Sequence, residues 1–200
     1  MLGKAAADIA LWCGEGRTIS VAVNIGARHL VSAGFPQRAF DIVRAAGVDP
    51  CMLELEITEE IAMREQENTR TVIDTLNAHG FRVALDDYGR GYSNLSRLAE
   101  VKVDVIKIDR SLILNVESHE RTRKIVAATI AMADALDCRV VAEGIEQASH
   151  ATLLRKLGCH ELQGYFFAKP MEREQLNDWL LQRSKNDVGA LQGQILMSLS

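Results

Sequence analysis

Two adjacent carboxylates at the end of an apolar run are the first residues that invite chemistry. Phe81 to Leu85 reads as a strand, and it stops at Asp86 and Asp87, followed by Gly89-Arg90-Gly91. Carboxylates at the end of a buried strand are costly to hold unless something positive sits between them. Glycine on both sides of Arg90 lets the backbone bend tightly, as an active-site loop requires. A surface turn after an ordinary strand would use the same residue types, so the other strand ends must decide. Apolar runs also end at Asn24, Glu56, Lys107 and Glu143, and Gln163 lies in the last one. Asn24, Glu56, Asp86 and Asp87 make a hard-oxygen set that suits Mg²⁺ or Mn²⁺, and no clustered His or Cys points to zinc. Adjacent aspartates can serve two metals, one as a bridge and one as a terminal ligand. Two ions about 3.5–4 Å apart activate water and stabilise a leaving oxygen in phosphodiester hydrolysis. Lys107 would hold a phosphate oxygen or the attacking water. Glu143 would complete the metal shell or take a proton. Each residue alone has a plainer role: Asn24 as a turn residue, Lys107 as the neutraliser of Asp86 or Asp109, Gln163 as nothing in particular. Glu54, deeper on the same face as Glu56, reads as paired within a barrel floor.

The elements that position these residues follow from periodicity. A helix is expected over 2–13, a strand over 19–24, and a helix over 36–46 that opens at Pro36 and closes at Gly47. The strand 52–57 alternates, with Leu53, Leu55 and Ile57 on one face and Glu54 and Glu56 on the other. Thr58 then caps a long helix to about His79. Strands over 81–86 and 103–108 flank a short helical segment. A helix over 117–136 buries Ile125, Ala128, Ile130 and Met132. A strand over 138–142, a helix over 147–157, a strand over 162–167 and a helix over 172–183 complete the pattern, with a weakly patterned tail from Ser184. Strands alternating with helices predict an α/β chain with a parallel sheet and helices outside. A doubly wound sheet and a (β/α) barrel both fit that order. The barrel is favoured because the polar residues fall at C-terminal strand ends, which converge on one mouth.

Bulk properties narrow the classes. The 200 residues are 48% hydrophobic and 25% charged, as in an ordinary globular domain with a full-sized core. A net charge of −4 leaves no basic footprint for a DNA backbone. Cys13, Cys51, Cys138 and Cys159 show no metal spacing and read as reduced, mostly buried thiols. No signal peptide stands at the N-terminus and no apolar run approaches the ~20 residues of a membrane span, so a cytoplasmic location is expected.

Several stretches resemble one family. LELEITEE at 53–60, ALDDYGRGYSNLSRL at 84–98, VDVIKIDRSLI at 103–113, VVAEGIEQ at 140–147 and GCHELQGYFFAKPM at 158–171 are similar to the EAL domain of bacterial cyclic di-GMP phosphodiesterases. VAVNIGARHL at 21–30 resembles a further family stretch, and the likeness runs from about residue 2 to 183. It implies a modified TIM-type (β/α)₈ barrel and Mg²⁺- or Mn²⁺-dependent hydrolysis of cyclic di-GMP to linear pGpG, inhibited by Ca²⁺. It also implies pairing as a homodimer. Metal ligands are implied at Asn24, Glu56, Asp86 and Asp87, with catalytic roles at Lys107, Glu143 and Gln163. Glu59 and Glu146 match loop-stabilising glutamates. The family's Glu-Ala-Leu strand, with its metal-binding glutamate, would precede Met1. The expectation is therefore an incomplete barrel of about six parallel strands lacking the first two, a domain over 1–183 and a tail over 184–200. Arg90 stands where the family has Thr or Ala, and Gln147 where it has Thr. An inactive cyclic di-GMP receptor or interaction domain is the alternative, and little activity is expected of this chain alone. Another Mg²⁺-dependent barrel, such as a lyase using Lys107 as base, fits the residues but not the motifs.

Overall fold

The structure is a computed structural model that describes residues 1–63, 67–90 and 98–186. Six strands form one all-parallel sheet: β1 (Val21–Asn24), β2 (Leu53–Thr58), β3 (Arg82–Tyr88), β4 (Val105–Ile108), β5 (Arg139–Ala142) and β6 (Glu161–Leu162). They lie in sequential order without a reversal. A doubly wound sheet turns back on its own order at a switch point. This one winds in a single direction, and crossovers of one hand keep the helices on one side. The result is a half-barrel with helices outside.

The two faces of the sheet carry different chemistry because side chains alternate along each strand. Leu53, Leu55, Ile57, Val83, Leu85, Ile106, Ile108 and Val140 face the helices and share one large core with Ile9, Trp12, Ile73, Leu76, Val126 and Leu154. Burying each such side chain is worth about 1.5–3 kcal/mol, so this layer holds the sheet. The concave face has only a small separate apolar cluster, Ala84, Val105 and Val141. Buried charged residues border it: Glu56 pairs in register with Ala84 and Lys107 with Val141, while Glu54 lies two residues earlier on β2.

Several expectations shift. The helix Glu120–Ala135 buries Val126, Thr129, Ile130 and Ala133 and leaves Ile125 44% exposed. The true stripe is turned about one residue, or roughly 100°, from the expected one. Thr129 hid it, because a buried threonine reads as polar in the sequence. Thr58 occupies the N-cap of a short helix, Glu59–Ala62, but its side chain makes no capping hydrogen bond. A second helix, Glu67–Ala78, follows, with residues 64–66 outside the described ones. The last strand holds only Glu161–Leu162. Beyond it Gln163 and Phe166 bond to the segment after β5 instead: Ile145 N–H donates to Gln163 O, and Phe166 N–H to Ile145 O. The short helix expected after Gly91 and the end of the tail lie outside the described residues. The final helix, Arg173–Asn186, runs past residue 183. Cys138 and Cys159 are buried, Cys51 is half-buried and Cys13 is exposed, all unpaired.

Candidate active site

Register decides which strand ends meet. Asn24 ends β1 directly beside Glu56 on β2, and Thr58 on β2 sits beside Asp86 on β3. Between Leu85 and Tyr88 the pairing of β3 with β4 slips by an irregularity that contains both aspartates. Asp87 lies in the left-handed region at φ 57°, which aspartate tolerates better than most residues. Its backbone N–H donates to Asp86 Oδ1 at 2.9 Å. In a regular strand Asp87 would point away from Asp86 and into the helical layer. The kink keeps it at the mouth, 36% exposed, with Oδ1 3.3 Å from the Arg90 guanidinium.

Lys107, only 4% exposed, is the hub. Its ammonium pairs with Glu56, lies 2.6 Å from Glu143 Oε1 and 3.6 Å from Asp86 Oδ1. Asp109, the other candidate partner, caps its own helix by accepting from Ser111 N–H at 2.9 Å. Burial alone would depress the Lys107 ammonium, but Glu143, Glu56 and Asp86 outweigh it and hold it well above the ordinary lysine value. Burial pushes the carboxyls of Glu56 and Glu143 upward, and Lys107 offsets only part of that. Three carboxylates on one ammonium leave an excess of negative charge in a poorly solvated place.

The remaining expected residues lie on the segments that follow the strands. Glu59, buried beside β2, accepts from the Gly89 N–H at 3.0 Å and so fixes the turn after the paired aspartates. Gln163 sits just past β6, with its N–H on Ala142 O at 2.9 Å. Its Oε1 is buried and has no hydrogen-bond partner among the described residues. Glu146 lies away from Lys107 and pairs with Arg110. Arg110 was not singled out from sequence, because nothing in its spacing marks a partner brought to it by strand order. Glu54 pairs in the floor as expected: Arg139 lies 3.5 Å away and also pairs with Glu161. Burial pushes the Glu54 carboxyl up to about 7 despite Arg139.

Among the described residues no group of three or more His, Cys, Asp or Glu forms a ready-made metal cage; the carboxylates converge on Lys107 instead. The donor chemistry still fits hard divalent ions. All the converging atoms are oxygens apart from one ammonium, and their negative charge exceeds what Lys107 neutralises.

The family model that matches this chain is the EAL domain, over residues 1–170. The chain belongs to the EAL domain family. Cyclic di-GMP phosphodiesterase PA2567 of Pseudomonas aeruginosa is 35% identical over 180 residues, which is 90% of this chain and 31% of that protein. This chain therefore spans about a third of the length of that curated relative. Among solved structures, the EAL domain of Mycobacterium smegmatis DcpA superposes with a TM-score of 0.85 at 36% identity, covering 90% of this chain and 82% of that one. Klebsiella pneumoniae BlrP1, in a manganese complex with cyclic di-GMP, gives a TM-score of 0.76 at 28% identity, over 82% of this chain and 42% of that one. A calcium complex of BlrP1 is also similar, at 29% identity. The EAL half-barrel seen here thus shares its fold with proteins solved with a divalent metal and a cyclic dinucleotide. No helix among the described residues is long and apolar enough to cross a membrane.

Proposed function

We propose that this EAL chain hydrolyses cyclic di-GMP to linear pGpG at the C-terminal mouth of its sheet, using Mg²⁺ or Mn²⁺ and inhibited by Ca²⁺. The observation that carries the reading is the convergence of Glu56, Asp86 and Glu143 on Lys107 at consecutive strand ends. Asn24, Glu56, Asp86 and Asp87 would hold the metal ions. When bound, two such ions supply an activated water and neutralise charge on the phosphate and the leaving oxygen.

The chain's own residues do the rest. Lys107 is held charged by its neighbours and would orient a phosphate oxygen or the attacking water. As water attacks phosphorus, its proton passes to Glu143. The bond to the ribose 3′ oxygen breaks, and that oxygen leaves with a proton from solvent or from Glu143. Gln163 offers its side-chain amide to the ligand, and Glu59 holds the Gly89 turn so that Asp87 stays at the mouth. A homodimer in the cytoplasm is part of the same proposal.

Purified protein that carries the family's Glu-Ala-Leu strand ahead of residue 1, incubated with cyclic di-GMP and Mn²⁺ and its products separated by chromatography, tests it. Release of pGpG that EDTA stops is the expected result. Calorimetric binding of cyclic di-GMP without turnover would replace this reading with a receptor, and no binding at all would remove both.

A further inference from the structure

The short helix Arg110–Ile113 follows β4 directly and touches both loops that carry the site acids. On one side Leu112 lies against Gly89, in the turn after Asp86 and Asp87. A Cβ on Gly89 would stand 2.5 Å from Leu112 Cδ1. On the other side the aliphatic stem of Arg110 lies across Gly144, next to Glu143. A Cβ there would stand 2.2 Å from Arg110 Cγ and 2.7 Å from its Cβ. The Arg110 guanidinium then reaches on to Glu146 in the same loop. Both glycines have positive φ, 98° at Gly89 and 71° at Gly144, so each loop turns sharply where the helix presses on it.

The helix has little freedom of its own. Asp109 caps it, and the Asp109 N–H donates to Tyr88 O at 3.1 Å, tying it to the end of β3. Ile113 is fully buried beneath it. Two contacts of this closeness, one on each flank of a four-residue helix, fix the spacing between the loops more rigidly than either loop could alone. Glu143 and Asp86 both lie on Lys107, one from each loop, so that spacing is also the width of the site.

We propose that Arg110–Ile113 is a spacer that couples the Asp86-Asp87 loop to the Glu143–Glu146 loop, with Arg110 and Leu112 as positioning residues. Neither touches the reacting atoms; each acts through the loop it braces. The proposal rests on the phosphodiesterase reading only where turnover is the readout, so the test includes one that needs no turnover.

Amide hydrogen exchange on the full chain is compared between wild type and Arg110→Ala. Faster exchange at Gly144 and Glu146, and also at the Gly89 amide that Glu59 holds, is the expected result. Loss of protection confined to residues 143–146 overturns the coupling, as does no loss at all. Leu112→Ala gives the reciprocal experiment, with exchange rising at Gly89 and at Gly144. Where wild type turns over, Arg110→Ala lowers kcat about tenfold or more with KM little changed, as a loop displaced by a fraction of an ångström would do. Arg110→Lys keeps the stem over Gly144 and restores most of that loss. Gly144→Ala is more severe alone than on the Arg110→Ala background, where the Cγ and Cδ it would strike are gone and only the Cβ remains. Effects of the two substitutions that simply multiply would show the contact to be incidental.

Discussion

The sheet carries two ionic clusters, one on Arg139 and one on Lys107, each with a buried glutamate of β2, and they are built on opposite principles. In the floor, Glu54 and Glu161 share Arg139. Burial pushes the Glu54 carboxyl up to about 7, so near neutral pH it is protonated about half the time and the cluster comes closer to charge balance. At the mouth, Glu56, Asp86 and Glu143 share Lys107, three carboxyls to one ammonium. A fold that needs polar groups inside for structure pairs them off. Uncompensated charge held rigidly at the strand ends is kept at a cost, and it is the kind of feature that a cationic ligand repays.

The comparison breaks most directly at its two cations. Lys107→Met leaves buried Glu56 and the half-buried Asp86 and Glu143 without their shared ammonium and is expected to destabilise the chain by about 3–5 kcal/mol in urea titrations. Mn²⁺ should recover part of that loss, because it supplies the missing charge. An unchanged midpoint would mean that the mouth is no more strained than the floor. Asp86→Asn relieves one of the three charges, so stability should stay within about 1 kcal/mol. Turnover, where the wild type shows it, should fall about a hundredfold or more, as when an electrostatic catalytic group is lost. Retained activity would remove Asp86 from the metal site. Arg139→Met in the floor should cost less than Lys107→Met, about 1–3 kcal/mol, since the neighbouring Glu54 can stay protonated. A larger loss than at Lys107 would invert the comparison.

Glu54→Gln sharpens the same point. A carboxyl that burial already pushes up to about 7 gives up little on becoming an amide, so the expected change is within about 1 kcal/mol. The smallest effect concerns the thiols. Burial raises Cys159 to about 11 and also raises Cys138. Thiolate is the reactive form, and at pH 8 a raised pKa leaves very little of it. A thiol reagent at that pH should therefore label exposed Cys13 first and reach Cys138 and Cys159 only on unfolding. Equal labelling rates in the native state would contradict the burial described.

Much of this was legible in the sequence because it depends on local pattern. The alternation in 53–57 placed Glu54 and Glu56 on one face, and apolar runs ending in polar residues placed the mouth. The motifs then gave the family. What depends on the pairing of distant strands was not legible. Lys107 had Asp109 two residues away as a candidate partner and meets Glu143 from the next strand instead. Arg139 joined Glu54 and Glu161, and Arg110 joined Glu146, through strand order alone. Where polarity misled, as at Thr129, one face of a helix was misplaced; where a glycine and a crossing segment ended β6 early, a strand was drawn too long.

The slipped pairing in β3 bears on anyone who would move this site elsewhere. Copying Asp86 and Asp87 onto a straight strand of another barrel would send one of them into the hydrophobic layer. The portable unit is the pair together with its kink, the left-handed turn at Asp87 and the Gly89 amide that Glu59 holds. A graft that leaves these behind would carry the right side chains to the wrong side of the sheet.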